Sequence, residues 1–372
     1  MKQGLTIQEM AKEILRQRDA KADYLVNTER LRMETCDAAP TLHVVDNAGV
    51  EMMEPLSIQQ TAHRQLGTYL NIPQKYYEKM MGENPELLAV NVNSWLHRKP
   101  EQRMLRTIDG RARAFLSNRY RPIDNFDIAS ITLPIIGEMP DARYESCQIT
   151  EDNMYIKVVN PRLTEEVTPG DIVQAGVVIS NSETGLGAVC VQPLVFRLVC
   201  RNGMVVNEAR TRRSHVGRVN STEENFSIYS QETLAAIDNA FVKKLQDTVR
   251  AAVDEARFAQ VVGKLRESRE KKLNTADIPT VVKLASSSFG ITEAESSGVL
   301  QRLIEDADYT VYGLANAVYN MLFSRLFRFY GECASFAKDA RDFPDFYASH
   351  KRSFFRQKNV YGYSTANHYD AV

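Results

Sequence analysis

Apolar and polar positions follow two different periods along this chain, and the change of period divides it. Near the N-terminus Leu5, Ile7, Met10, Ala11, Ile14 and Leu15 recur at helical spacing, and Lys, Glu and Arg occupy the opposite side, which predicts a helix over 5–35. A short strand over 42–45 and a turn at Asp46-Asn47-Ala48-Gly49 follow. Ile58, Ala62, Leu66 and Leu70 then form a helical stripe in a segment that begins at Ser57, with His63 on its exposed side. Pro73 opens another helix, broken near Gly82 and Pro85.

From residue 103 the period becomes two. Residues 103–121 read strand, Asp109-Gly110 turn, strand. A helix over 122–136 carries Ile128, Ile131, Leu133 and Ile136, and two strands joined at Glu151-Asp152-Asn153 come after it. Residues 171–218 hold the strongest β signal. Two arms rich in Val, Ile and Phe flank a turn containing Gly185 and Gly187, Asn202-Gly203 signals a second turn, and a basic tail follows. Pro193 offers no N–H, so the second arm is an edge strand there or carries a bulge.

After Asn220 the helical period returns, with Leu234, Ile237, Phe241, Leu245, Val249, Ala252, Val253 and Ala256 in one stripe. Further helices are expected over 278–287, 293–305 and 310–329. Residues 350–372 show little periodicity and read as a tail. The expected class is α+β, a central mainly antiparallel sheet with helical N-terminal and C-terminal regions. Its expected divisions are a helical region over 1–102, a sheet region over 103–220, a helical region over 221–345 and a tail over 346–372.

Composition narrows the function classes. The 372 residues are 44% hydrophobic and 25% charged, with a net charge of −1, so no bulk field draws the chain to nucleic acid or membrane. No apolar run approaches the roughly 20 residues of a membrane span, and the first residues lack the apolar core of a signal peptide. The expected location is the cytoplasm. Five scattered cysteines without a CxxC pair indicate thiols rather than a disulfide scaffold or a zinc ribbon.

The charge is segregated, and this is the main functional clue. Residues 103–121 hold six arginines and one acid, 197–218 six arginines and one glutamate, and 350–359 four cations and no acid. Together they carry +14, so the remainder carries −15. Cations on a sheet hold phosphates, and aromatic rings among them stack on bases, which is what single-stranded nucleic acid needs. Arginine's planar fork suits phosphate and base edges. The candidate contacts are Arg111, Arg113, Arg119, Arg121, Arg210, Arg212, Arg213 and Arg218, with Tyr120 as a stacking ring and His215 as a phosphate contact.

No HExxH, no GxxxxGK[ST], no GxGxxG after a strand and no GxSxG occurs, so no catalytic residue, metal ligand or cofactor is assigned. Two rival readings stay open. One is a protein-interaction factor acting on a host protein through the aromatic-rich segments 309–330 or 343–363. The other is a nucleic-acid-processing enzyme using Asp124, Asp127 or His215.

Four runs, at 115–128 (FLSNRYRPIDNFDI), 185–206 (GLGAVCVQPLVFRLVCRNGMVV), 212–218 (RRSHVGR) and 309–318 (YTVYGLANAV), resemble the phage/plasmid-like protein family, a domain-of-unknown-function family of prophages, phages and plasmids. The resemblance spans about residues 50–330, with the four motifs in order; Val318-Tyr319 stands where relatives carry a polar residue. It implies a mobile-element protein in a bacterial cytoplasm that serves element DNA. The combined expectation is a non-catalytic binder of single-stranded DNA in phage or plasmid replication or recombination, self-associating as a homo-oligomer and making no membrane contact.

Overall fold

The computed structural model describes residues 4–37, 39–198, 202–205, 211–213, 215, 231–273, 277–288 and 291–318. Among them the chain is α+β, with two mainly antiparallel sheets. The first helix, α1 (Ile7–Ala20), starts at a capping box in which the Thr6 hydroxyl and the Glu9 carboxylate satisfy each other's backbone N–H. The helix stops well short of 35. Beyond Ala20 the apolar residues no longer recur every three or four positions, and the chain enters strand β1 (Lys21–Asn27), a 3₁₀ turn and strand β2 (Leu31–Cys36).

The first sheet continues with β3 (Ala39–Val44), β4 (Leu56–Ile58), β5 (Gln102–Ile108) and β6 (Arg111–Ser117), in the order β1-β5-β6-β4-β3-β2. Only β4 and β6 run parallel. The β5–β6 turn is Asp109-Gly110, both at positive φ, as expected of a two-residue hairpin. Ser57 belongs to β4, and the helix expected from there begins later, as α2 (Gln60–Tyr69). With α3 (Gln74–Glu83) and α4 (Pro85–Leu96) it covers one face over a core of Leu31, Leu42, Leu66, Leu88, Val92 and Leu105.

His63 is buried in this layer and not on the surface. Its Nδ1 lies 2.9 Å from Tyr77 Oη, and burial lowers its pKa to about 4. The outer edge of β2 is sealed by a side chain: Asn93 of α4 accepts from Met33 N (2.7 Å) and donates to Met33 O (2.9 Å), doing for β2 what another strand would do.

The second sheet comprises β7 (Arg143–Ile149), β8 (Met154–Thr168), β9 (Asp171–Asn181), β10 (Val189–Arg197), β11 (Asn202–Val205) and β12 (Thr211–Arg213). Its order is β11-β10-β9-β8-β7, with β12 also on β10. The hairpin 103–121 therefore belongs to a different sheet from the strands after residue 140, and the single sheet expected over 103–220 is two. Pro193 sits between the stretch of β10 paired to β12 (Val189–Val191) and the stretch paired to β11 (from Leu194), so its missing N–H leaves no ladder bond unmade on that side. Asn202 and Gly203 pair with Arg197 and Phe196, so they lie in strand β11 and the turn precedes them.

Helices α1, α5 (Asn125–Gly137) and α6 (Gln231–Ala252) cover one face of the second sheet, over a core that includes Met10, Ile128, Ile156, Val177, Val191 and Leu245. The long stripe after Gln231 is split, because Asp254 caps a new helix, α7 (Glu255–Glu270), by accepting from Arg257 N. α8 (Ile278–Ser288), α9 (Glu293–Glu305) and helical residues 311–318 close a smaller core around Val282, Val299 and Leu303. Among the described residues no helix is long and apolar enough to cross a membrane. The expected tail over 346–372 lies outside the described residues.

Candidate functional site

The two sheets meet where the first arginine-rich segment faces the turn after β9. The meeting point is set by a β-bulge. Arg106 pairs with Ala114 and Thr107 with Ala112, so Arg113 is the extra residue of β6, and a bulge re-aims the side chain it carries. Arg113 leaves the first sheet and reaches Glu183, Nη1 to Oε2 at 2.7 Å, with both side chains almost wholly buried. Its Nε and Nη2 donate to Glu151 O (3.1 and 3.0 Å).

Ser182, Glu183 and Thr184, in the turn between the two arms, are buried. Glu183 is the hub. Its Oε1 accepts from Asn125 N at the start of α5 (2.6 Å), where a carboxylate also meets the positive end of the helix. Its backbone O accepts from Arg106 Nη1 (2.8 Å) and Tyr120 Oη (3.1 Å). Gly185 turns the chain out of this hub at φ +78°, a value that glycine adopts without strain.

Arg106, 1% exposed, is the second cation of the junction. Nε donates to Asp23 (2.8 Å) and Nη2 to Asp124 (2.7 Å), and Asp124 also pairs with Lys21. Burial pushes the Asp124 carboxyl up, but the Arg106 charge and the Lys21 and Arg106 hydrogen bonds outweigh it and hold Asp124 below its ordinary value. Asp124 and Asp127 form the capping box of α5, so both are committed to starting that helix.

The second arginine-rich segment joins on the far side of Tyr120. The Tyr120 and His215 rings stack with centroids 5.3 Å apart, and Arg121 N donates to His215 O (2.8 Å). Asn181 Nδ2 donates to Ile123 O and Asn125 Oδ1, so its Oδ1 is the acceptor facing His215 Nε2 at 2.9 Å. Nε2 therefore carries the ring proton, and Nδ1 is a bare lone pair with no hydrogen-bond partner among the described residues. Burial above all, together with the charges of Arg106 and Arg213, lowers the His215 pKa to about 4. Arg121 and Arg213 both pair with Asp238 of α6, at 3.2 and 2.5 Å, and Arg213 lies 4.8 Å above the Phe241 ring.

Arg119, Arg121, Arg212 and Arg213 keep cationic groups at or near the surface. Arg119 and Arg212 are exposed, and Arg121 and Arg213 are partly so. Arg111 is half-exposed, at the edge of ion-pair range from Asp109 (4.0 Å) and Glu151 (3.7 Å) and apart from this group on the β5–β6 turn. Arg113, Tyr120 and His215 are in the interior, so the expectation that they touch a polymer is corrected. Arg113 is neutralised by Glu183, the Tyr120 hydroxyl is bonded to backbone, and His215 is an uncharged ring locked between Tyr120 and Asn181. Arg210 and Arg218 lie outside the described residues.

Sequence reading missed Arg106, Glu183, Asn181 and Asp238. A signal existed for Glu183 alone, an acid between two strands rich in Val, Ile and Leu; the remainder are set by pairings between separate elements, such as His215 with Asn181, 34 positions apart.

A family model described as a domain of unknown function, DUF932, matches residues 114–325, more than half of the chain. The chain belongs to the DUF932 family. The matched range opens in β6 beside the bulge and takes in the junction hub, the second sheet and the helices after it, so most of the site is DUF932 sequence. The N-terminal partners Lys21, Asp23 and Arg106 lie before it. No curated protein and no solved structure matches the chain.

Proposed function

We propose that this DUF932 protein is a non-catalytic nucleic-acid-binding protein, with single-stranded DNA as its polymer, that serves the replication or recombination of phage or plasmid DNA. The observation that carries the reading is the joining of two arginine-rich segments almost a hundred residues apart. Arg121 and Arg213 both pair with Asp238, which brings the two segments together on α6, and exposed Arg119 and Arg212 extend the arginine edge in both sequence segments. The interface is narrower than composition alone implied, since Arg103, Arg106 and Arg113 are turned inward against rings and carboxylates. Phosphate oxygens are the groups such an edge recognises, and it reads charge rather than base sequence.

Fluorescence anisotropy of a labelled oligothymidylate about 20 nucleotides long, at about 50 and 200 mM salt, tests the reading; four phosphate contacts on a single strand predict a log–log slope of about −3 and a roughly 50-fold weakening over that range. Arg119→Glu and Arg212→Glu should each weaken binding at the lower salt. Absence of binding at low salt would remove the proposal.

A further inference from the structure

The two edges of the first sheet are built differently. Strand β2 is sealed by Asn93, whereas β1, at the opposite end, pairs with β5 alone among the described residues. Asp109 N donates to Ala20 O and Thr28 N to Glu101 O, so the even-numbered residues of β1 bond to β5. The N–H and C=O of Asp23 and Leu25 therefore point away from the sheet. Such an edge is commonly guarded by proline, a bulge or outward charge. β1 contains no proline, and its ladder to β5 runs without a register shift. Both of its charged side chains are engaged within the chain, Lys21 with Asp124 and Asp23 with Arg106. The large hydrophobic side chains shown at this edge are Tyr24 and Leu25, 37% and 64% exposed.

Leu25 also ends an apolar row. Register sets it beside Met104 of β5 and Met104 beside Leu116 of β6, both half-buried, and none of the three belongs to the core under α2, α3 and α4. The strand's own sequence selects what can lie against it. If a second copy of β1 pairs antiparallel, a two-fold axis at Asp23 sets two carboxylates opposite each other, and an axis at Tyr24 sets Asp23 opposite Leu25. An axis at Leu25 sets leucine on leucine and Tyr24 opposite Val26, an aromatic and β-branched pair. It also sets Asp23 opposite Asn27, whose Oδ1 already accepts from Glu29 N, so Nδ2 is the end that meets the carboxylate. In that register the row of Leu116, Met104 and Leu25 runs on into its copy.

We propose that β1 is a self-association edge, at which two copies of this chain pair antiparallel about a two-fold axis at Leu25 and join their first sheets into one. Backbone bonds from Asp23, Leu25 and Asn27 hold the pair, and the matched side chains fix its register. A contact this short lies at or below the small end of specific interfaces, about 1,200 Å², so the dimer exchanges with monomer. The pairing uses none of Arg119, Arg121, Arg212, Arg213 and Asp238, and so stands apart from the nucleic-acid reading.

The test is sedimentation velocity of the full chain from about 1 to 100 μM, where the mass should rise from one chain toward two. Leu25→Lys and Leu25→Glu should each weaken association by about tenfold or more, because like charges then meet at the axis. An equimolar mixture of the two variants should recover the dimer, because lysine then meets glutamate. Leu25→Pro should keep the parent's far-UV spectrum, since β5 does not use that N–H, and should sediment as a monomer, since both axis bonds are lost. If the proline variant fails to fold, the charge pair still decides. A parent that stays monomeric would overturn the self-pairing and leave the edge to a strand of another protein. Self-association unchanged in the lysine and glutamate variants, or a mixture that fails to recover it, would overturn the proposal as well.

Discussion

The Arg113–Glu183 pair joins the two sheets through one buried contact, and a double-mutant cycle measures what it contributes. Glu183→Gln keeps the shape of the side chain and can still accept from Asn125 N, but it offers Arg113 an amide and leaves a buried guanidinium uncompensated. Arg113→Met removes the cation and strands the Glu183 carboxylate, together with Glu151 O, which loses two donors. Removing one member of a buried pair costs about 3–5 kcal/mol, a large part of the roughly 5–15 kcal/mol that holds a native protein together. If the effects added, the double variant would lose about 6–10 kcal/mol. It leaves no buried charge, so the expected loss is about the size of one single variant, a coupling of about 3 kcal/mol. Urea unfolding followed both by far-UV circular dichroism and by the fluorescence of Trp95, the only tryptophan, gives the four stabilities and shows whether the transitions coincide. Additivity to within about 0.5 kcal/mol would refute the buried-pair argument.

Three more outcomes are expected. His63 and His215 are both held near pKa 4 by burial, so between about pH 6.5 and pH 4 the unfolded chain binds more protons than the folded one and stability falls as pH falls. Each contributes about 3 kcal/mol across that window, and His215→Gln should flatten the slope of urea midpoint against pH in that range. Gly185→Ala places a Cβ 2.7 Å from Leu116 Cδ2 at φ +78°, which should lower stability by about 1–3 kcal/mol in the same unfolding assay. Asn93→Leu removes both bonds that seal β2, at a cost of about 2 kcal/mol, and light scattering on warming should report earlier aggregation through the freed edge.

Local chemistry made much of the fold legible. Asp109-Gly110, Asp46 to Gly49 and the α9 span were readable because the turn or cap residues carry their own backbone preferences. The α+β class followed from the change of period at residue 103. The N-terminal helix was read too long because Leu25, Val26, Leu31 and Met33 continue an apolar run, while only pairing with β5 and β3 makes them strands. Charge counts found the arginine segments but not their environment. Arg113 and Arg119 are alike in sequence; a bulge sends the first inward to Glu183, while the second lies on an exposed loop. Glycine and proline positions announce themselves, whereas the partner of a buried cation is fixed only by the register of two sheets.

Asp238→Asn tests the nucleic-acid reading most directly. Arg121 and Arg213 both pair with this carboxylate, so removing its charge makes the edge where the two arginine segments join more positive. Oligonucleotide anisotropy at low salt should show the variant binding about threefold to tenfold more tightly than the parent, with an unchanged far-UV spectrum. Equal or weaker binding by the folded variant would contradict the assignment of this edge to phosphate recognition.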